Sequence, residues 1–152
     1  MKEKVCILIP ILLLMIFVLL ILYTTEKSPC APLSADQIDS VSLYYFNANR
    51  KKVIESQTDI SDILSAMSNF RSRGSYDSVP AGGQTFQILF QLYDGSYYSC
   101  IYYQTAKSSG YYADGNGRIR VSSLDFVSIW ENLDCIAVEA YADLEFSEWP
   151  EL

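Results

Sequence analysis

The residues of this chain that could carry out chemistry are few and lie far apart in the sequence. Its 152 residues include four cysteines and no histidine. Histidine is the commonest general base and metal ligand, so its absence removes the usual partner that would activate a nucleophile such as Cys100. Most Asp and Glu residues fall at turns and helix caps, where backbone hydrogen bonding accounts for them. We therefore predict no catalytic residues and no enzyme activity.

A metal site was considered at residues 114–117, DGNG, which resemble the start of a calcium-binding loop. Asp125 falls at the position where such a loop ends. However, Arg118 takes a place that needs an oxygen ligand, and Ile119 takes the place of the glycine that makes the turn. A glycine-rich turn accounts for this segment, and we predict neither a metal nor a cofactor.

Three cysteines lie outside the apolar N-terminal run, Cys30, Cys100 and Cys135. A disulfide can join Cys135 to Cys30 or to Cys100 if the domain lies in an oxidising compartment. The spacing does not choose between the two pairings, and either one leaves a thiol over.

The charge of the chain limits the classes of partner. Its formal net charge is −7 at pH 7. Such a surface repels nucleic acid and anionic lipid headgroups, so we predict no nucleic-acid partner.

The N-terminal segment predicts a membrane anchor. Residues 5–22 contain no charged side chain, and as a helix they would span about 27 Å, close to the thickness of a bilayer core. Lys2 and Lys4 before this run predict that the N-terminus stays in the cytoplasm. We expect a single-pass protein of the cytoplasmic membrane, with 1–23 as an anchor or an uncleaved signal. Residues 24–37 are then a linker, and the rest lies outside the membrane.

Hydrophobic periodicity predicts one α+β domain over residues 38–135. Alternation over 38–46 and 51–56 predicts two strands, and an apolar stripe starting at Ile60 predicts an amphipathic helix capped by Thr58 or Asp59. A second helix is expected to open at Ser122, with a capping pattern to Asp125. The predicted order is β-β-α-β-β-β-α with an antiparallel sheet. Residues 136–152 are expected to form an acidic tail that can add an edge strand.

A β-hairpin over residues 86–103 is the strongest local signal, because two strand-like runs flank Asp94-Gly95. A two-residue turn would place Phe86 opposite Tyr103. Tyr98, Cys100 and Tyr102 would then share the outer face with Leu89. Exposed tyrosines are typical of protein and glycan contacts. The predicted binding surface consists of Tyr93, Tyr98, Tyr102 and Leu89.

Two glycine-rich loops, 74–83 and 107–117, are further binding candidates because loops often carry function. The helix that begins Asp-Ile-Ser-Asp-Ile-Leu at 59–64, the long loop and the strands around Tyr93-Asp94-Gly95 together resemble small exported domains of Gram-positive bacteria without an assigned function. That resemblance covers at most residues 38–134. It implies a membrane-anchored extracytoplasmic α+β domain and transfers no site residues.

These observations predict a membrane-anchored extracytoplasmic module that binds, senses or inhibits a protein or another component of the cell envelope. An extracytoplasmic enzyme of hydrolase type is the alternative from a different class. A membrane-tethered immunity factor against a secreted toxin is the third, because an acidic surface suits a basic partner.

Overall fold

The chain forms an eight-stranded antiparallel sheet with two α-helices, in a computed structural model that describes residues 14–16, 33–105 and 109–140. The strands and helices in chain order are β1 (Ile38–Tyr45), β2 (Arg50–Ile54), α1 (Gln57–Ser68), β3 (Ser72–Ser75), β4 (Gln84–Leu92), β5 (Tyr97–Gln104), β6 (Ser109–Asp114), β7 (Gly117–Ser122), α2 (Phe126–Asn132) and β8 (Val138–Glu139). Short 3-10 helices, Ala35–Gln37 and Phe46–Ala48, precede and follow β1. Across the sheet the order is β3-β7-β6-β5-β4-β1-β2-β8.

The predicted α+β class with an antiparallel sheet is confirmed. Three of the strands, β3, β6 and β8, lie outside the five strands of the predicted order. β6 lies within residues 107–117, where the sequence predicted a glycine-rich loop. β3 pairs with β7 at one edge of the sheet, where the sequence predicted the start of a loop. β8 pairs with β2 at the other edge, within the predicted tail, which the sequence allowed to add an edge strand.

Both helices begin at residues other than the predicted caps. The hydroxyl of Ser56 accepts a hydrogen bond from the backbone N–H of Asp59, so α1 begins one residue before Thr58. In α2 the N-cap is Asp125, whose carboxylate accepts from the backbone N–H of Ser128 at 3.2 Å. The predicted start at Ser122 is therefore wrong, because Asp125 is the cap itself and not the third residue of the helix.

The two helices cover the same face of the sheet. Phe70, just after α1, packs against Tyr102, and Phe126 at the start of α2 contacts both Phe86 and Tyr102. These side chains are fully buried and belong to one continuous hydrophobic cluster. Burial of each large apolar side chain is worth about 1.5–3 kcal/mol, so this cluster contributes strongly to the stability of the fold.

The predicted register of the central hairpin is wrong by one residue. Gly95 has a φ of +86° and Asp94 is not among the residues with positive φ. The backbone N–H of Gly95 donates to Leu92, and that of Leu92 donates to Ser96. The hairpin therefore closes with a three-residue loop that ends in a left-handed glycine, and not with the predicted two-residue turn. As a result Phe86 pairs with Tyr102 instead of Tyr103.

This shift exchanges the two faces of β5, because neighbouring strand residues point to opposite sides. Tyr98, Cys100 and Tyr102 face the helices, and Tyr97, Ser99, Ile101 and Tyr103 face away from them. Tyr102 also explains a glycine on β6, since a Cβ at Gly110 would lie 2.4 Å from the Tyr102 ring.

The predicted membrane segment, residues 5–22, lies outside the described residues except for 14–16, which are helical and exposed. Within the part of the chain that the structure describes, no helix has both the length and the hydrophobicity needed to cross a membrane. Residues 141–152 of the predicted tail also lie outside the described residues.

Candidate functional site

The side of the sheet away from both helices is the candidate functional site, and we call it the open face. Its members follow from the strand register, since directly paired residues in antiparallel strands share a face. Neither α1 nor α2 packs on this side, and the Phe46 ring of the second 3-10 helix stacks on Tyr44 with centroids 6.5 Å apart. The open face carries Tyr44, Lys51, Val53, Leu89, Tyr97, Ile101, Tyr103, Tyr111, Arg118 and Arg120.

One row of paired residues crosses the open face from one sheet edge almost to the other. We call it the cross-sheet row. In order, it consists of Val138, Lys51, Tyr44, Gln87, Ile101, Ala113 and Arg118. The middle of the row is largely buried, with Tyr44 at 7% and Ile101 at 5% exposure, and the polar, partly buried Gln87 lies between them. Lys51 and Arg118 stand on either side of that middle, about 24 Å apart at the usual strand spacing.

The open face is cationic although the chain as a whole is acidic. Lys51 lies on β2, with its Nζ 5.3 Å from the centre of the Tyr44 ring. Arg118 and Arg120 lie on β7, opposite Ala113 and Tyr111. The open face therefore concentrates positive charge around an aromatic and aliphatic centre, in a chain whose net charge is −7.

Residues 76–83 cross one end of the open face, because they connect β3 at the sheet edge to β4 in the middle. The Tyr76 ring packs edge-on against Tyr111 with centroids 5.0 Å apart. The hydroxyl of Tyr103 donates to the carbonyl of Pro80 and accepts from the backbone N–H of Gly83. Burial raises the pKa of Tyr76 above its ordinary value, so its phenol remains neutral at physiological pH.

The other part of the open face, toward the Asp94-Gly95 turn, keeps apolar side chains accessible. Tyr97 is 56% exposed and Val53 is 41% exposed. Between them in the sheet lies Leu89, which pairs with Ser42 on β1 and Ser99 on β5. This accessible area is suited to contact with apolar groups of a second molecule.

Two buried side-chain acceptor atoms of the described residues lack a hydrogen-bond partner. The side-chain oxygen Oε1 of Gln87, in the middle of the cross-sheet row, is one of them. Its amide nitrogen donates to the Ser99 hydroxyl at 3.2 Å. The other is Oδ1 of Asn49, next to the position where the backbone N–H of Ala140 donates to the Asn49 carbonyl at 3.3 Å. Buried acceptors in native proteins are nearly always satisfied, so these two atoms are exceptions to that rule.

A cluster of polar groups lies on the opposite, helix-covered face. The Tyr98 hydroxyl donates to the Asp114 carboxylate at 2.6 Å, and the Tyr112 hydroxyl donates to it at 3.2 Å. Asp114 also accepts from the backbone N–H of Asn116 at 2.8 Å. Burial, together with the bond to Asp114, raises the pKa of Tyr98. A pocket of about 170 Å³ adjoins this cluster, with Ile119 as its apolar wall. The hydrogen bonds hold the β6–β7 turn, which explains the glycine-rich segment without a metal.

Lys52 is the one buried lysine among the described residues and has a structural task. Its Nζ donates to the carbonyls of Trp130 at 2.8 Å and Leu133 at 2.7 Å. The Nζ also lies 5.1 Å from the centre of the Trp130 ring. These carbonyls are at the C-terminal end of α2, where a cation is favourable. Lys52 therefore attaches α2 to β2.

The four residues of the predicted binding surface do not lie together. Tyr102 is fully buried in the core, and Tyr98 is bonded to Asp114 on the helix-covered face. Leu89 lies on the open face, and Tyr93 is 63% exposed in the hairpin turn. The prediction that these side chains share a face is wrong because the hairpin register differs by one residue.

The cysteines and carboxylates do not form a reactive cluster in the described ranges. Cys100 is buried on β5, Cys135 is partly buried after α2, and the two are not bonded to each other. Cys30 lies outside the described residues. Burial raises the pKa of the Cys135 thiol, which keeps it protonated and weakly nucleophilic. Within residues 33–105 and 109–140, no group of three or more Cys, Asp or Glu side chains could hold a metal ion.

Tyr44, Lys51, Tyr97, Ile101 and Arg118 were not among the predicted site residues. The alternating pattern of β5 separates its residues into two faces. Only a three-residue turn places Tyr97 and Ile101 on the open face. Lys51 and Arg118 have no signal of their own, because their shared row follows from the register of six strands.

Comparison with known proteins identifies no relative. No protein-family profile, curated protein or solved structure matches this chain.

Proposed function

We propose that this chain is a membrane-anchored extracytoplasmic module that binds a protein segment on its open face. The anchor part of the proposal is supported by the uncharged run at residues 5–22 and by Lys2 and Lys4 before it. The binding part is supported by the open face itself. The single observation that carries it is the cross-sheet row, in which an apolar centre lies between Lys51 and Arg118.

The chemistry of the open face defines the partner. Lys51 and Arg118 attract carboxylates, and the accessible side chains of Tyr97, Leu89 and Val53 favour aromatic or aliphatic groups. The face is a broad sheet surface and not a deep pocket, so it suits an extended segment better than a small molecule. The proposed partner is therefore an acidic segment of an envelope protein that also contains apolar residues.

The position of Cys100 favours a binding function over a hydrolase that would use this thiol as its nucleophile. Cys100 is 1% exposed and its side chain packs among the core residues beneath the helices. A side chain at that position contributes to packing, and a substrate could reach it only if a helix moved away.

The experiment is affinity capture of the full chain, reconstituted in nanodiscs, against detergent extracts of the envelope of the source cells. Tyr97→Ala with Leu89→Ala removes apolar area from the open face. Tyr93→Ala is the matched control, since Tyr93 is a similarly exposed tyrosine four positions away in the hairpin turn. We expect a stoichiometric partner that the open-face variant loses and the control retains.

Equal capture by both variants would show that binding uses another surface and would overturn the proposal. The partner recovered with the parent chain is then tested by mapping its bound segment with limited proteolysis. A bound segment that is basic, or one without apolar residues, would contradict the proposed partner chemistry.

A further inference from the structure

We propose that a group of arginine and tyrosine side chains at the β7 end of the open face binds a phosphate monoester. This group, which we call the arginine–tyrosine cluster, consists of Tyr76, Tyr111, Arg118 and Arg120, with Arg73 beside it on β3. The site goes beyond the proposed function, because it requires neither a protein partner nor the membrane anchor.

Strand pairing brings the members of the cluster on β6 and β7 together. Tyr111 pairs directly with Arg120, and Arg118 lies two residues earlier on the same side of β7. Directly paired residues have Cβ atoms about 5 Å apart, and residues i and i+2 of one strand are about 7 Å apart. Arg120 is exposed and Arg118 is half-buried. Both guanidinium groups can therefore reach one small anion from the solvent side of the sheet.

Tyr76 adds a second phenol to the cluster. Its ring packs edge-on against Tyr111 with centroids 5.0 Å apart. Burial raises the pKa of Tyr76, and the positive charge of Arg118 opposes part of that rise, which places this charge near the phenol. Within residues 33–105 and 109–140, neither the Tyr76 nor the Tyr111 hydroxyl has a protein hydrogen-bond partner. Both hydroxyls are therefore available to donate to a bound group.

The positive charge of the cluster is not compensated by any carboxylate of the described residues. Arg73, Arg118 and Arg120 form no ion pair there, and Nη2 of Arg120 donates to the neutral carbonyl of Arg73 at 3.0 Å. The pairing of Ser72 with Val121 brings Arg73, the next residue, beside Arg120. Like charges opposite each other on neighbouring strands are destabilising. A bound anion would remove this repulsion, in a chain whose net charge is −7.

Protection of the sheet edge does not account for this arrangement. Charged residues on an outermost strand prevent it from pairing with another chain. Arg73 lies on β3, the outermost strand, and can have that role. Arg118 and Arg120 lie on β7, which is already paired with a strand on each side. Their charges therefore need a different explanation.

The donors of the cluster suit a phosphate monoester better than a carboxylate. Its polar groups are guanidinium N–H and phenol O–H groups, and each guanidinium fork matches two oxygens of a phosphate or a carboxylate. A carboxylate has two oxygens and is satisfied by one fork. A phosphate monoester has three terminal oxygens and a charge of about −1.5 to −2 at pH 7, so it can accept from both arginines and a phenol together.

Direct titration tests the site. The full-length chain, purified in a maltoside detergent that carries no phosphate, is titrated with glycerol 3-phosphate at constant ionic strength, and phosphorus NMR line broadening measures binding. We expect saturable binding that Arg118→Gln with Arg120→Gln weakens by about ten-fold or more, because charge-assisted hydrogen bonds are lost. Arg50→Gln, an exposed arginine on β2 at the other side of the sheet, is the matched control and should bind normally.

A second variant separates loss of a donor from loss of structure. Tyr76→Phe keeps the ring against Tyr111 and removes only the hydroxyl, so we expect about five-fold weaker binding with an unchanged circular dichroism spectrum. Tyr93→Phe, in the distant hairpin turn, should bind like the unmodified chain.

The source of the phosphate is identified by repeating the titration in nanodiscs with and without phosphatidic acid, whose headgroup is a phosphate monoester. Competition by the lipid would identify a lipid headgroup as the ligand, and unchanged binding would identify a soluble phosphate ester. Both results retain the phosphate site.

The absence of saturable binding would overturn the inference, and so would equal binding by the unmodified chain and the double arginine variant. Equal or tighter binding of acetate, or of the diester glycerophosphoglycerol, would contradict the proposed ligand class. Partner capture that depends on Tyr97 and Leu89 tests the proposed function separately, so either proposal can fail without the other.

Discussion

Lys51 and Arg118 lie in one row of the open face, on strands separated by four others. The two residues are far apart in the sequence. They fall in one row only because the neighbouring strands from β2 to β7 pair continuously across the sheet. Because Tyr44, Ile101 and Ala113 between them are buried within the sheet surface, the two cations lie at the ends of a largely apolar strip that Gln87 interrupts. This relationship is the basis of the proposed function.

The attachment of α2 by Lys52 is expected to contribute strongly to stability. Lys52→Met keeps most of the side-chain volume but leaves the carbonyls of Trp130 and Leu133 without their donor. Loss of the two charge-assisted bonds should lower the free energy of unfolding by about 2–4 kcal/mol, measured by urea denaturation. Arg50→Met, an exposed cation two positions earlier, should change it by less than about 0.5 kcal/mol. A small effect at Lys52 would contradict this role.

The inward position of Tyr102 can be tested through a glycine on the neighbouring strand. Gly110→Ala places a methyl group 2.4 Å from the Tyr102 ring, whereas a Cβ at Gly115 meets nothing within 4 Å. We expect Gly110→Ala to destabilise the domain by about 1–3 kcal/mol and Gly115→Ala to have little effect. Thermal unfolding measured by circular dichroism compares the two. Similar melting temperatures for both variants would show that Tyr102 faces away from the helices. The hairpin would then close with the two-residue turn that the sequence predicted.

The Asp125 cap is expected to give α2 a defined pH dependence. Hydrogen bonds from Ser128 and then Gln104 hold the pKa of Asp125 below its ordinary value. Since the folded state favours the carboxylate, its stabilising effect is present above the unfolded-state pKa of about 3.9 and is lost as the pH falls through the lower folded-state value. Asp125→Asn keeps a capping side chain but removes the charge, so it should lower the free energy of unfolding more at pH 7 than at pH 2.

Urea denaturation across that pH range measures the effect, with Asp62→Asn on the exposed side of α1 as the control for lost charge. If the difference in free energy of unfolding between the unmodified chain and Asp125→Asn does not change with pH, the carboxylate charge does not stabilise the helix cap.

The proposed topology predicts that the domain is accessible from outside the cell. Protease added to intact cells or protoplasts should digest residues 33–140, while a tag placed before Lys2 survives until the membrane is opened. The reason is that Lys2 and Lys4 favour retention of the N-terminus in the cytoplasm. Protection of the domain in intact cells, with digestion only after lysis, would place it in the cytoplasm.

The parts of the fold that depend on local pattern could be predicted from the sequence, and the parts that depend on pairing could not. Ile60, Ile63 and Met67 were predicted to form the inner stripe of α1 and are buried there. The hairpin around Asp94-Gly95 was also predicted at the correct place. Its register was not, because the same dipeptide fits turns of two lengths that differ by one residue.

Other features depended on distant segments. β3 lacks any alternating pattern and forms through its pairing with β7. Lys52 is buried because α2, about 80 residues later, presents its C-terminal carbonyls there. The cross-sheet row likewise required the register of every strand from β2 to β7, so the open face could not be identified from local sequence.

Site-specific photo-crosslinking in living cells tests the central claim most directly. A photoreactive phenylalanine analogue replaces Tyr97 on the open face in one strain and Glu131, exposed on α2, in another. We expect a discrete protein adduct from position 97 and none from position 131. Adducts from position 131 alone would contradict the claim that this chain binds its partner through the open face of the sheet.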